Sequence, residues 1–246
     1  MTKLETKVSN EIEHGKKISK NAEDIWGWSS PAGQIRAQRR AAYFIDLAKL
    51  NAQSKALEIG CGTGLFTKKV YEKTKAQITA IDISEDLLAI AKKKLPEINF
   101  KIGDAMALSF ENNSFDAVYG SSILHHLDFE KSLEEIIRVL KPGGRFVFAE
   151  PNMINPQIFL QKNIPAFKKW MGDSPDETAI VRWHFKKLMQ QKGFTKIKIF
   201  PYDFLHPSVP KIFIPLVKKA SEIVEKIPVL KEIAGSVIIY GEKPKD

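Results

Sequence analysis

The stretch Ala56–Val70, ALEIGCGTGLFTKKV, decides how this chain of 246 residues folds. An apolar run ends at Ile59, glycines occupy positions 60, 62 and 64, and a helix-like pattern follows. A glycine-rich turn between a strand and a helix lets the backbone approach a ligand closely, and the helix N-terminus offers N–H groups to a polar or anionic group. The stretch therefore predicts the first strand–turn–helix unit of a ligand-binding α/β domain.

The chain on both sides of this stretch alternates short apolar runs with helical patterns. Strands are predicted at residues 55–59, 77–82, 98–104, 115–121 and 145–150. Because helical patterns separate the runs, they form βαβ units and the sheet is expected to be parallel. Beyond residue 150 the chain is predicted to be irregular and proline-bearing, before a helix at 184–194 and two final strands at 195–200 and 235–243.

Composition and charge narrow the class of protein. The single cysteine, Cys61, excludes a disulfide within the chain and fits a reducing compartment. No apolar run is long enough to span a bilayer and none resembles a signal peptide, which predicts a soluble, cytoplasmic protein. The net charge of +9 would suit nucleic acid or an anionic membrane surface, but the lysines are scattered over most predicted helices. Without an Arg-rich tract or zinc-ligand spacing, neither nucleic-acid binding nor a metal is expected.

The spacing of the glycines separates two classes of cofactor. A dinucleotide turn, G-x-G-x-x-G, would place its third glycine where this chain has Leu65. Here Glu58 precedes the glycines in the form E-x-G-x-G-x-G, which resembles the first motif of class I S-adenosylmethionine (SAM) dependent methyltransferases. FDAVYGSSILHHL (115–127) and RVLKPGGRFVFAEPN (138–152) resemble the segments of that family around its fourth and fifth strands. The likeness covers Lys55–Asn152 and is closest to the small-molecule group that includes quinone-biosynthesis C-methyltransferases.

The resemblance implies a cofactor, SAM, with S-adenosylhomocysteine (SAH) as its product. Asp82 ends the second strand, where an acidic residue holds ribose hydroxyls, although it could instead cap the next helix. Ser84 is the better-placed cap for that helix. Asp104 corresponds to the family's aspartate that accepts from the adenine amino group. The predicted cofactor residues are Glu58, Gly60, Cys61, Gly62, Gly64, Asp82, Ile83, Asp104, Ala105 and Ser121.

The family also implies the architecture. We expect an α/β, doubly wound, Rossmann-like sheet of seven strands with the last strand antiparallel. Residues 1–50 are predicted to form an N-terminal helical cap or lid, and residues 51–246 the SAM-binding domain. A helical insertion is predicted at about 204–233.

Two neighbouring histidines are the predicted catalytic residues. His125 and His126 follow the fourth strand, where the transferred methyl group should point, and imidazole titrates near neutrality. Either could be the general base that an acceptor with a hydroxyl or an acidic carbon requires. The alternative is that both shape the loop by binding its backbone.

The segment Trp26–Arg40, WGWSSPAGQIRAQRR, precedes the glycine turn and leads into a helix predicted from about Pro31 to Leu50. Trp26 and Trp28 could form an aromatic wall over the cofactor or the substrate, or could simply pack on the core. Arg36, Arg39 or Arg40 could pair with the carboxylate of SAM. The alternative for these arginines is a solvated surface.

The last feature is the predicted insertion. After Pro215, Leu216, Val217 and Ala220 begin an apolar stripe at helical spacing, which predicts an amphipathic helix. Just before it, VPKIFIP presents Phe213. The stripe could pack on the edge of the sheet, or the segment could be a lid or a peripheral membrane contact that admits an apolar acceptor. The mixed charge on the polar side of the helix favours the lid.

Together these features predict SAM-dependent methylation, by in-line transfer, of a small acceptor that is apolar or lipid-like. One rival is a nucleic-acid or protein methyltransferase, which the basic charge keeps open. Another is a SAM-binding protein without catalysis. The sequence does not indicate the acceptor atom or the oligomeric state.

Overall fold

One seven-stranded sheet organises the molecule. The computed structural model describes residues 3–171 and 178–245. The strands are β1 (Lys55–Ile59), β2 (Gln77–Asp82), β3 (Asn99–Ile102), β4 (Phe115–Ser121), β5 (Leu140–Pro151), β6 (Thr195–Tyr202) and β7 (Ser236–Glu242). They lie in the order β3-β2-β1-β4-β5-β7-β6, and only β7 runs antiparallel to its neighbours. The doubly wound, Rossmann-like sheet with an antiparallel last strand is therefore confirmed.

Helices cover both faces of the sheet. They are α1 (Lys3–Ile18), α2 (Ala22–Ile25), α3 (Pro31–Ala48), α4 (Leu65–Thr74), α5 (Glu85–Lys94), α6 (Phe129–Val139), α7 (Pro156–Asn163), α8 (Pro165–Met171), α9 (Arg182–Gln191) and α10 (Ile214–Val224). The prediction of irregular chain after residue 150 is wrong for α7 and α8. Asn155 accepts a hydrogen bond from the Ile158 N–H and Pro156 occupies the first turn, so these residues start a helix rather than break one.

The centre of the sheet is buried on both sides, as the apolar sequences of its central strands require. β1 and β4 are almost wholly buried, which is typical of parallel strands covered by helices on both faces. On one face α3 contributes Phe44 to a cluster with Tyr119, and on the other α6 contributes Leu133 and Ile136. The division at residue 50 into a cap and a SAM-binding domain stays a prediction, but α3 shares the main core.

The topology fixes where a ligand can bind. From β1 the chain proceeds to β2 and β3 on one side, and later returns to β4 and β5 on the other. The carboxyl ends of β1 and β4 therefore meet where the strand order reverses, which is the usual crevice for ligands in open α/β sheets. The helices α1 and α2 lie beside this crevice, because Ile18 and Ala22 pack against Leu87 of α5.

Candidate active site

A cavity of about 410 Å³ lies at the carboxyl ends of the central strands. Eight of the predicted cofactor residues line it: Gly60, Cys61, Gly62, Asp82, Ile83, Asp104, Ala105 and Ser121. Both predicted catalytic residues, His125 and His126, line it as well. Glu58 and Gly64 do not. The structure thus brings together residues from four separate strand ends that the sequence assigned to one site.

The glycine turn has the backbone shape that close approach by a ligand requires. Gly60 and Gly62 have φ angles of +69° and +52°, in the left-handed region that other residues rarely adopt. A Cβ added at Gly62 would lie 3.1 Å from the Trp26 ring, so a side chain there would intrude where the tryptophan covers the turn. Cys61 between them is buried, and burial raises the pKa of its thiol. The thiol therefore stays protonated and is a poor nucleophile.

Two carboxylates stand at the ends of β2 and β3. Asp82 accepts hydrogen bonds from the N–H groups of Gly62 (2.8 Å) and Ser84 (2.9 Å), while burial raises its pKa. Ser84, not Asp82, caps α5 by accepting from Leu87 N–H. Asp104 is half-buried, accepts from Met106 N–H at 2.8 Å and faces the same cavity. Both carboxylates are therefore held by backbone beside space that a ligand can occupy.

Glu58 lies near the end of β1, two residues before Gly60. Its side chain is buried and accepts a hydrogen bond of 2.9 Å from the Tyr119 hydroxyl. Burial, helped by the charge of Asp82, raises its pKa to about 7. Hydrogen bonds with Thr67 and Tyr119 oppose this shift and lower the pKa. Because Glu58 is bonded to Tyr119 and does not line the cavity, it occupies a buried position beside the turn and is not part of the cavity wall.

His125 belongs to a buried pair that closes the loop after β4. Its Nδ1 lies 2.7 Å from Oε2 of Glu150, at the end of β5. The other oxygen of Glu150 accepts from Ile123 N–H and Leu124 N–H, each at 2.9 Å. Burial alone would raise the pKa of Glu150. The hydrogen bond and charge of His125 lower it, as do the two N–H groups, and together they hold the pKa below its usual value. Glu150 is therefore ionised and fixes both the loop and the imidazole.

His126 lies against His125, with ring centroids 4.1 Å apart, and also meets the N-terminal helix. Its Nδ1 lies 3.1 Å from Oε1 of Glu11 on α1. Glu11 and its neighbours Val8, His14 and Gly15 line the same cavity. The contact joins α1 to the loop after β4, so α1 forms part of the wall of the site.

The tryptophans occupy different environments. Trp28 is buried, packs edge-to-face on Phe66 with centroids 5.3 Å apart, and also lines the cavity. Trp26 is about one-third exposed, lies over Gly62 and lines the same cavity. Phe213 lies outside the cavity lining and is half-exposed, in a 3-10 turn that precedes α10.

The three arginines of α3 do not form a solvated surface. Arg36 pairs with Asp203 at 2.7 Å, and Arg39 pairs with Glu225 at 2.7 Å. Arg40 is buried, and its hydrogen-bond partners among the described residues are neutral hydroxyls, which belong to Ser121 (2.8 Å), Ser122 (3.0 Å), Tyr202 (2.9 Å) and Ser236 (3.0 Å). A guanidinium only donates, so the serine hydroxyls accept from it and are free to donate elsewhere. Since Ser121 and Ser122 line the cavity, Arg40 behind them contributes positive charge to it.

Comparison with known proteins decides the family. Residues 57–148 match the model of a methyltransferase domain. The chain is 30% identical to the demethylmenaquinone methyltransferase of Paenarthrobacter aurescens, over 81% of this chain and 82% of that protein. It is 28% identical to a methyltransferase-like protein of Schizosaccharomyces pombe, over 63% of this chain and 59% of that protein. The chain belongs to the SAM-dependent methyltransferases.

Solved structures of this class share its fold. Phosphoethanolamine N-methyltransferase 2 of Haemonchus contortus, in complex with phosphomonomethylethanolamine and SAH, matches with a TM-score of 0.66. The match covers 95% of this chain and 60% of that one at 16% identity, so it concerns the fold alone. In the present methyltransferase, the left-handed glycines and the two carboxylates at the ends of β2 and β3 suit SAM as the cofactor. Which of these residues touch SAM stays a prediction.

The sequence did not predict the contacts of three residues at this methyltransferase site. Glu150 and Glu11 were not singled out, and Arg40 was considered only for the cofactor carboxylate or the surface. For Glu150 a signal existed, because a glutamate ending the apolar run RFVFAE must find a partner at the carboxyl end of a buried strand. Glu11 carried no such signal. In the described ranges, no three potential metal ligands cluster and no helix is long and apolar enough to cross a membrane.

Proposed function

We propose that this methyltransferase methylates a small, apolar or lipid-like acceptor by in-line displacement, with His125 as the general base. The observation that carries the proposal is the buried pair of His125 and Glu150, which lies on the cavity wall beyond the glycine turn. Bound SAM would supply an activated methyl carbon, and the acceptor's electron pair would form the new bond as the bond to sulfur breaks. The residues of the chain would bind, orient and deprotonate the acceptor.

The pair with Glu150 selects the tautomer of His125. An ionised carboxylate only accepts, so the Nδ1 atom of His125 must carry the hydrogen that Glu150 receives. The Nε2 atom is then the basic nitrogen of the ring, which is the protonation pattern that a general base needs. When Nε2 takes the acceptor's proton, the nearby carboxylate stabilises the resulting imidazolium. His126 is less suited, because its contact with Glu11 gives it a role in closing the wall.

The lining of the cavity supports an apolar acceptor. Among the residues that line the same cavity as the histidines are the apolar Ile18, Ile25, Phe66, Ile123 and Leu127. Relatives such as the P. aurescens protein are named for demethylmenaquinone, an apolar ring substrate. An acceptor of this kind, with an acidic hydroxyl or an activated ring carbon, would need the base described above.

Arg40 bears on the charge of the acceptor. The guanidinium lies behind Ser121 and Ser122 and has no carboxylate partner among the described residues, so its positive charge is only partly offset. That charge disfavours a cationic amine and stabilises an acceptor that becomes anionic when it loses a proton. The hydroxyls of Ser121 and Ser122, which line the cavity, would donate to such an anion.

The test is turnover of SAM to SAH with a demethylated naphthoquinol as the first acceptor. His125→Ala is expected to lower turnover by roughly 10²–10⁴-fold while SAH affinity stays unchanged. Glu150→Gln should remove much of the activity and shift the pH profile, because a neutral amide no longer stabilises the imidazolium. His126→Ala serves as the matched control and should retain more turnover than His125→Ala.

Two results would contradict the proposal. If His125→Ala and His126→Ala lose turnover and SAH affinity equally, the histidines only shape the loop. If no apolar acceptor is turned over but RNA or protein extracts are methylated, the acceptor class is wrong.

A further inference from the structure

The segment Lys211–Ile233 presents a large apolar surface to solvent. Eight of its side chains have exposed fractions from 40% to 81%: Ile212, Phe213, Leu216, Ile223, Ile227, Val229, Leu230 and Ile233. We call this set the apolar face. Soluble monomers rarely expose contiguous apolar patches of more than a few hundred Å², and larger ones mark sites of interaction.

The helix α10 has apolar side chains on two opposite sides. Ile214 is buried and Val217 is half-buried against Ala32 and Leu205, which attaches the helix to the body of the protein. Successive helical residues are about 100° apart, so Leu216 and Ile223 lie on the side away from that contact. A surface helix ordinarily has one apolar stripe. Packing of α10 on the body of the protein therefore does not account for the second stripe.

The apolar face continues onto α7 at the mouth of the cavity. Asn155, which caps α7, donates to the carbonyl of Ile233 at 2.7 Å and joins the two segments. Phe159 and Leu160 of α7 are 52% and 45% exposed. Gln161 of the same helix lines the cavity. An apolar molecule at this surface would thus be close to the proposed acceptor site.

The charges around the apolar face are mostly positive. Five lysines lie in the segment: Lys211, Lys218, Lys219, Lys226 and Lys231. Of its three glutamates, Glu225 pairs with Arg39 at 2.7 Å and Glu232 pairs with Arg182 at 2.9 Å. Only Glu222 is left to offset the lysines, and no acidic side chain in the described part of the chain forms an ion pair with them. The sequence indicated mixed charge on this segment, but in the folded protein its exposed charge is mostly positive.

We propose that the apolar face docks on an anionic lipid bilayer, with its exposed side chains in the interface and the lysines against the head groups. Apolar burial and attraction to anionic lipids are the two contributions that bind an amphipathic segment at a membrane surface. Docking would let an apolar acceptor move from the lipid to the cavity past α7. That last link rests on the proposed function, whereas the docking surface does not.

Flotation of the full chain with vesicles tests the surface independently of catalysis. The chain should float with vesicles of phosphatidylcholine and phosphatidylglycerol, and much less with phosphatidylcholine alone. Ile212→Asp should lower the partition coefficient at least tenfold, because Ile212 is 81% exposed and its loss does not disturb the fold. The matched control is Ile102→Asp, which replaces a residue 57% exposed on β3 at the opposite edge of the sheet.

The charge contribution has its own pair of variants. Replacing Lys218 and Lys219 by glutamine should lower partition onto the anionic vesicles by roughly 30-fold. Replacing the adjacent lysines Lys92 and Lys93 of α5 removes the same charge elsewhere and should change partition much less.

Three results would overturn the proposal. The first is no flotation with anionic vesicles at low salt, and the second is an equal loss of partition in a variant of the apolar face and in its matched control. The third is a dimer in sedimentation that Ile212→Asp dissociates. The last would assign the face to a second copy of the chain. Methylation of a detergent-solubilised acceptor tests the proposed function separately, so the two can fail independently.

Discussion

The buried carboxyl of Glu58 leads to a sharp prediction about the pH dependence of stability. In the unfolded chain this group ionises near 4.5, whereas in the folded protein burial raises its pKa to about 7. Between these values the folded chain holds a proton that the unfolded chain has released. The free energy of unfolding must therefore fall as pH rises from about 4.5 to 7, and this contribution is constant above that range.

The size of the effect follows from the shift. At 1.36 kcal/mol for each pH unit, a shift of about 2.5 units corresponds to about 3 kcal/mol of stability lost on ionisation. Glu58→Gln cannot ionise, yet its amide oxygen can still accept the hydrogen bond from Tyr119. Relative to the wild type, the variant should gain about 3 kcal/mol between pH 4.5 and 8, or roughly 6 to 12 °C in Tm.

Urea unfolding of both proteins at several values between pH 4.5 and 8 measures this difference. Glu97→Gln, which removes a carboxylate from an exposed position, is the control and should run parallel to the wild type. The reasoning fails if the difference between Glu58→Gln and the wild type is constant over this range. It also fails if Glu97→Gln shows the same trend, because the effect would then come from general charge.

Substitutions at three further positions probe the site. Asp82→Ala should weaken SAH binding by about 1–3 kcal/mol, because hydrogen bonds to a charged group are lost, and calorimetry measures this change. Unchanged affinity would show that SAM does not bind at the end of β2. Gly62→Val should weaken SAH binding more, because the position has a φ of +52° and lies under the Trp26 ring. Tight SAH binding by a folded variant would contradict this placement of the cofactor. Arg40→Met should slow methyl transfer by roughly 100-fold with SAH affinity retained, and Arg40→Lys should recover part of the rate. Equal loss of stability and rate in both Arg40 variants would make Arg40 structural only.

The sequence by itself determined the frame of the site. The glycines before α4, the carboxylates ending two strands and the helix cap at Ser84 are local features, because backbone conformation and capping depend on a few adjacent residues. The alternation of apolar runs with helices specified the sheet, since parallel strands require crossovers of that length. The sequence therefore placed Asp82 and Asp104 at the same edge of the sheet.

Only the tertiary structure decided which side chains face one another. Glu150 meets His125 across two strand ends, and Glu11 meets His126 although the two residues are far apart in the sequence. Nothing in the local pattern of either partner specifies such a pair, because it arises from packing of elements that are distant along the chain.

The same is true of the charges. Arg40 belongs to a helix face that reads as a polar surface, yet packing of α3 on the sheet buries it among hydroxyls from β4, β6 and β7. Glu225 and Glu232 have lysines as neighbours in the sequence, but in the folded protein they form ion pairs with Arg39 and Arg182. Residue spacing places a side chain on its own helix or strand, whereas the neutralisation of its charge depends on what the rest of the chain brings within a few ångströms.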